Sequence, residues 1–344
     1  MVDTITSLAK DERTARVMLA LGSEPGDSMT GRLLRKIGAT ATVDIATSSR
    51  SVRGVERVER ELWQRRVASR LSVPLTRSIL ADGERLGLRV LIPGDDAWPV
   101  ALVDLGDHAP FALWTKGDAT LLSASIRDRV TLTGARAATG YGDHVATELA
   151  FGLVRDRRQV VSGGAYGIDA AAHRAALAAE APTIAVMPGG LDRLYPAGNQ
   201  ELLERVGKSG LLVSELPPRT APTRWRFLQR NRVLAALSGT VVIVEAGYRS
   251  GSLNTANQAA ALGRPVGAVP GPVTSPASAG CHRLIREGIA GVVTDVSDID
   301  ALLQRGEGSP GRGLAPAGRD ARLTTDSAFV SPPGTEPHPS APSL

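Results

Sequence analysis

The chain has 344 residues, 42% of them hydrophobic, enough apolar material for one large α/β domain and a smaller companion. Forty Lys and Arg against 35 Asp and Glu leave a net charge of +5, which permits a polyanionic partner but excludes a histone-like charge density. A single cysteine, Cys281, excludes an internal disulfide framework, no Cys/His cluster has zinc-ligand spacing, and no run reaches the ~18 apolar residues of a membrane span.

The start, MVDTITSLAKDERTARVMLALG, is polar and mixed in charge, so a cytoplasmic protein without membrane contact is expected. From Asp11 to about Arg70, apolar residues recur at three- and four-residue intervals (Val17, Leu19, Ala20; Leu33, Leu34, Ile37), interrupted by SEPGDS and IGATAT. This predicts a small helical domain over residues 1–70. Within it, LLRKIGATATVDIA has the helix, glycine turn and second helix of a helix-hairpin-helix element, a pattern that many helical pairs share without touching DNA.

Near Leu71 the character changes, and LRVLIPGDDAWPVAL reads as a short strand entering a proline-punctuated loop. From Arg129 onward, DRVTLTG, RQVVSGG, PTIAVMPGG, GLLVSEL, GTVVIVEAG and RPVGAVPG are short apolar runs that end in glycine, proline or a small polar residue, and helical lengths separate most of them. Near-continuous apolar strands joined by helices predict a doubly wound, mostly parallel α/β sheet covered on both faces, here over residues 71–304. Beyond about Gln304 the chain is rich in Pro, Gly and Ser and nearly free of large apolar residues, which predicts a disordered tail over residues 305–344.

Almost every glycine cluster follows a strand, at the carboxyl edge where such sheets place ligands. The dinucleotide fingerprint G-x-G-x-x-G is absent, because Arg136 and Ala165 stand where its second glycine belongs in TGARAATG and SGGAYGID. GKS at 207–209 is not a P-loop, since Leu202 replaces the first Walker glycine and the run precedes its strand. No cofactor and no metal is therefore predicted. What remains is a set of loops suited to oxyanions: Gly134, Ala135 and Arg136; Ser162, Gly163, Gly164, Tyr166 and Gly167, with Asp169 expected to cap the helix running on through His173; Pro188, Gly189 and Gly190; and Ser250, Gly251 and Ser252 at a helix N-terminus. Tight turns use the same residue types, but several such loops at one edge point to an anion site. RWRFLQRNRVLAALS, residues 224–238, adds four arginines and two aromatics, fitting either a single-stranded backbone with bases free to stack or a solvated basic face with Trp225 and Phe227 in the core. His173 on an alanine-rich helix reads as structural, and no nucleophile-histidine-acid set stands out.

TGAR, SGGAYGIDAAAH, AVMPGGLDRLYPAGNQELL, LLVSELPP, RFLQRNRVLAALS, VVIVEAGYRSGSLNTANQAAALGRPVGAVPG and SAGCHRLIREG occur in the order and spacing of the DNA-processing protein A (Smf) family, and DAWPVALVDLGDHAPFALWTKG resembles its lead-in. The resemblance spans roughly Leu71 to Asp300. It implies an extended Rossmann-like domain that binds single-stranded DNA, a homodimer, and a recombination mediator that loads RecA during natural transformation rather than a catalyst. It also implies phosphate contacts at Gly134 and Arg136, in the Ser162–Gly167 loop, and at Arg230, Asn231 and Arg232. Tyr166 departs from the basic residue frequent in the family, Leu228 from a proline, and the tail stands where some relatives carry a winged helix. One rival class is a nucleoside-monophosphate phosphoribohydrolase of the lysine-decarboxylase-like (LOG) type, with Glu245 as its acid; against it, the PGG loop lacks the G-T-x-x-E that follows in that class. Another is a scaffold whose main task is protein contact.

Overall fold

The computed structural model describes residues 4–48 and 50–305; the expected tail, from residue 306 on, lies outside the described residues. The chain opens with helices α1 (Ile5–Leu8), α2 (Glu12–Gly22), α3 (Ser28–Thr47), α4 (Arg57–Ala68) and α5 (Val73–Arg85). Local chemistry sets four of their starts: Thr4, Asp11, Asp27 and Ser72 each accept a backbone N–H from three residues on. Gly38, at φ 78°, breaks α3 in two, so the predicted helix, glycine and helix are present. Met18, Leu19, Leu33, Val43, Trp63 and Val67 form the core of these helices, and Phe111 from the following region joins it. Helix α5 begins past residue 70, where the sequence had signalled the approach to the sheet.

The sheet follows as β1 (Arg89–Leu91), β2 (Leu113–Gly117), β3 (Arg129–Thr133), α6 (Gly140–Arg155), β4 (Gln159–Ser162), α7 (Ile168–Ala178), β5 (Thr183–Met187), α8 (Gln200–Ser209), β6 (Leu211–Ser214), α9 (Arg224–Ala236), β7 (Thr240–Ile243), α10 (Ser252–Ala261), β8 (Val266–Ala268), α11 (Ala279–Arg286), β9 (Gly291–Val292) and α12 (Val296–Arg305). The six runs read as strands from Arg129 onward are β3 to β8. The GKS tripeptide closes α8 ahead of β6 and forms no phosphate loop. Among the described residues the sheet has nine strands in the order β1-β2-β6-β5-β4-β3-β7-β8-β9. Strands β6 to β9 in that order run parallel, while β1 and β2 are antiparallel additions at one edge.

That order has one reversal. From β3 the chain winds outward through β4, β5 and β6, then returns to place β7 on the other side of β3 and winds away through β8 and β9. The loops after β3 and β7 therefore diverge, and a crevice opens between them. Both faces of the sheet are covered. Leu132, Val242, Leu149, Leu153 and Leu302 pack together from β3, β7, α6 and α12, and Val161, Ile184, Val213, Val233 and Leu234 from β4, β5, β6 and α9. Each such side chain is worth roughly 1.5–3 kcal/mol of transfer free energy when fully buried.

His173 sits in this framework and not at its edge. Fully buried on α7, it pairs through Nδ1 with Thr183 Oγ1 at 2.9 Å, and the same hydroxyl donates to Val160 O at 2.7 Å. Burial, with the nearby Arg230 charge adding to it, pushes the imidazole from 6.5 down to about 3.

Two stability predictions follow from this packing. The unfolded chain takes up a proton at His173 that the folded chain refuses between pH 6.5 and about 3, so stability falls on acidification through that window, by at most about 1.4 kcal/mol per pH unit from this group. Urea titrations across the window should show a shallower pH slope in His173→Gln; an unchanged slope would remove the histidine from the acid limit. In α3, a Cβ on Gly31 would collide with the Asp107 carbonyl, whereas one on Gly83 in α5 meets nothing within 4 Å. Gly31→Ala should cost about 1–3 kcal/mol and Gly83→Ala should stabilise by about 0.5–1 kcal/mol, measured as shifts in urea midpoint. Equal effects would contradict the packing.

Candidate nucleic-acid interface

The crevice beside β3 and β7 is a cleft of about 1040 Å³. Its walls are the loop after β3 (Gly134 to Ala137), the loop after β7 (Gly247 to Ser252) and one face of α9. Gly134 is required by close approach: a Cβ there would lie 2.6 Å from Glu245 O and 2.7 Å from the Ile168 side chain. Gly167, at φ 70°, turns the chain into α7 so that the Ile168 N–H reaches Ala135 O at 3.2 Å. The first two glycine loops are thus tied to each other.

Three arginines in the cleft, Arg136, Arg224 and Arg249, are exposed and have no acidic partner among the described residues. Arg136 lies over the Phe227 ring, 4.4 Å from its centroid, and Phe227 meets Tyr195 edge-on at 5.9 Å. A stacked guanidinium keeps its in-plane donors free, and those donors match a phosphate in pairs. Beneath Phe227 lies Arg230, buried, with Nη1 donating to Gly163 O at 2.7 Å and Val186 O at 2.6 Å. Burial pushes its guanidinium down to about 10, which leaves it charged at neutral pH. It forms the positive floor of the cleft and pins the loop after β4. Asn231 also lines the cleft and ties α9 to α10, its Nδ2 donating to Gly251 O and Asn254 Oδ1 at 3.3 Å each. Ser250, Gly251 and Ser252 stand at the start of α10 as expected, with the two hydroxyls 2.8 Å apart.

Several expected phosphate contacts lie elsewhere. Ser162 is fully buried and its hydroxyl donates to Leu132 O at 2.6 Å, so it is spent on the sheet. Gly163 and Gly164 are buried; the Gly163 carbonyl receives Arg230 and that of Gly164 receives Asn199 Nδ2 at 3.1 Å. Arg232 points to the other side of α9 and pairs with Glu215 at 2.7 Å, both side chains at most 9% exposed. Helical periodicity explains the split: residues 224, 227, 228 and 231 share the cleft face, and residue 232 does not. Asp169 is not the cap of α7. It sits in the first turn and holds the preceding loop, accepting Thr133 Oγ1 at 2.8 Å and Ala165 N at 3.2 Å. The Pro188 to Gly190 loop is covered, with the Gly190 N–H donating to Thr220 O at 2.8 Å and Pro222 against Gly189.

Tyr166 is 46% exposed and accepts the Gly198 N–H at 3.1 Å through its hydroxyl, so its ring leans on the turn before α8 and does not line the cleft. Trp225 is not in the core; it is 56% exposed. Glu245 is 2% exposed and takes both the N–H and the hydroxyl of Thr139, at 2.8 and 2.6 Å, as a clamp on the start of α6. It offers no acid to the cleft. Likewise the Ala39 N–H behind the Gly38 turn donates to Glu12 Oε2 at 3.0 Å, so a carboxylate occupies the donor that a helix-hairpin-helix would present to a phosphate. No group of three His, Cys, Asp or Glu suited to a metal occurs among the described residues, and no described helix is long and apolar enough to cross a membrane. Sequence reasoning missed Arg249, Tyr248 and Tyr195 as lining residues; only Arg249, adjacent to the Ser250 turn, carried a signal that could have found it.

The chain is 52% identical over 225 residues to the putative DNA processing protein DprA of Mycobacterium tuberculosis, covering 62% of this chain and 57% of that relative, so it spans little more than half of the relative's length. The crystal structure of DNA processing protein A from Streptococcus pneumoniae superposes with a TM-score of 0.68 at 29% identity, over 88% of this chain and 98% of that one. A structure of the Helicobacter pylori protein, described for its single-stranded DNA binding mode, gives a TM-score of 0.57 at 31% identity over 63% of this chain and 96% of that one. The profile of the DNA recombination-mediator protein A family matches residues 89–304, from β1 to the last turn of α12. With well over half of its 344 residues inside that match, the chain belongs to the DNA recombination-mediator protein A family.

Proposed function

We propose that this chain is a cytoplasmic, non-enzymatic recombination mediator that binds single-stranded DNA in the cleft beside β3 and β7. The observation that carries this reading is the pairing of unpaired cations with aromatic faces in a cleft without a free acid: Arg136 on Phe227, Arg224 and Arg249 at the walls, Arg230 beneath, and Tyr195 and Tyr248 among the lining rings. Phosphates hold to guanidinium groups, bases stack on rings, and neither contact needs a proton donor or nucleophile. The single-stranded DNA described for the Helicobacter pylori relative supports the same choice of ligand. Loading of a RecA-type recombinase, assembly as a homodimer and a part in DNA uptake are carried by family resemblance. Co-sedimentation of the protein with RecA and with itself is their direct test.

Fluorescence anisotropy with oligothymidylate tests the cleft. Binding should be independent of sequence, stronger for single strands than for duplex, and should weaken steeply with salt. Arg136→Ala should lower affinity about ten- to hundredfold, as expected for a charge-assisted phosphate contact, and reduce the salt slope by about 0.7. No measurable binding at low salt, or full affinity in Arg136→Ala, would overturn the assignment.

A further inference from the structure

Helix α9 has a second stripe, residues 225, 229 and 232, turned away from the cleft. Gln229 and Arg232 in that stripe lie against Gly26 in the loop between α2 and α3. Trp225 heads the stripe at the open end, 56% exposed, with no ring partner among the described residues. It stands between Arg224, which lines the cleft, and Arg226, which does not. Arg226 instead binds Glu24 at 3.2 Å, and the same carboxylate holds Arg70, two residues past α4, at 3.5 Å. Asp27, at the other end of that short loop, holds Arg66 at 2.7 Å. Arg66 lies in the last turn of α4 and Arg70 just past it, so the turn that ends α4 meets the start of α9 at Glu24, across a strip one loop wide.

The charge distribution singles out this strip. Between residues 32 and 70 ten basic residues stand against four acidic ones, a surplus larger than the +5 of the whole chain. The positive charge of the protein is thus concentrated on the helices before the sheet. Glu24 and Asp27 do not cancel it: both are already matched by Arg226, Arg70 and Arg66, and the neighbouring Arg65 is exposed. Arg66 and Arg70 are themselves about half exposed, and ion pairs that water reaches from the cation's side are weak, so phosphate oxygens can compete with the carboxylates there.

We infer that a single strand leaving the cleft past Arg224 continues over this strip, with Trp225 stacking on a base and Arg66 and Arg70 holding the adjoining phosphates. The inference rests on the single-stranded reading of the cleft and extends it to a second subsite. A stacking indole selects an unpaired base, which is why a single strand and not a duplex fits here. The N-terminal helices then contribute to the length of DNA bound.

The test is a length series of oligothymidylates read by anisotropy, comparing the shortest that the wild-type protein binds with one about three times as long. Trp225→Ala should lose about fivefold or more in affinity for the long oligonucleotide, the range of one base–aromatic stack, and stay within about twofold of wild type for the short one. Arg66→Ala with Arg70→Ala should flatten the salt dependence for the long one only. Trp225→Phe should restore most of the loss. Arg136→Ala serves as reference and should weaken both lengths. If it does so while Trp225→Ala changes neither length, or both equally, the second subsite is wrong and the cleft stands. If the wild-type protein binds neither length, both assignments fall. Trp225 is exposed, and an unchanged melting temperature separates lost contact from lost fold.

Discussion

The arrangement of this protein depends on the reversal between β3 and β7. Parallel strands need crossover helices, and where two neighbouring strands send their crossovers in opposite directions no helix covers the ends between them. The uncovered edge has to be finished by loops, and Gly134 and Gly167 are there because a side chain at the first would strike Glu245 O and the second turns through φ 70°. The carboxylates of Glu245 and Asp169 are turned inward to hold Thr139 and Thr133. Their inward orientation leaves the opening positive.

The arginines divide by solvent contact into two kinds. Arg230 and Arg232 are buried and satisfy backbone carbonyls or a buried carboxylate, which fixes the loop after β4 and ties α9 to the segment after β6. Arg136, Arg224 and Arg249 face solvent with no acidic partner among the described residues. The first kind contributes to shape and to the potential at the cleft floor. The second kind is free to exchange water for phosphate. Within the run on α9, Arg230 and Arg232 are buried, Arg226 is paired with Glu24, and Arg224 is exposed at the cleft, a division set by the 100° step of a helix.

Much of the sheet was legible in advance because its strands are buried on both faces and therefore spell continuous apolar runs. Strands β2 and β9 were not: β2 is an antiparallel edge addition that ends in exposed Lys116 and Gly117, and β9 has two residues, too few to carry a period. The glycine loops were placed at the correct edge, but the fate of each donor was hidden. Ser162 reads like a phosphate ligand and is consumed by Leu132 O, while Trp225, which fits either a stacking face or the core in sequence, stands in water. Neither outcome has a local cause, since each depends on what another segment brings to the same place.

By itself the sequence determined the strand and helix pattern, the broken hairpin at Gly38, the absence of a dinucleotide fingerprint, and family motifs specific enough to name the kind of protein. These are local or ordered properties, set by periodicity, turn chemistry and spacing. Only the tertiary structure decided which cations remain unpaired, which carboxylates are withdrawn from the cleft, and that the turn after α4 lies beside the start of α9 through Glu24. Those facts depend on contacts between residues far apart in the chain, such as Arg226 and Glu24, which no pattern along the chain encodes until packing brings them together.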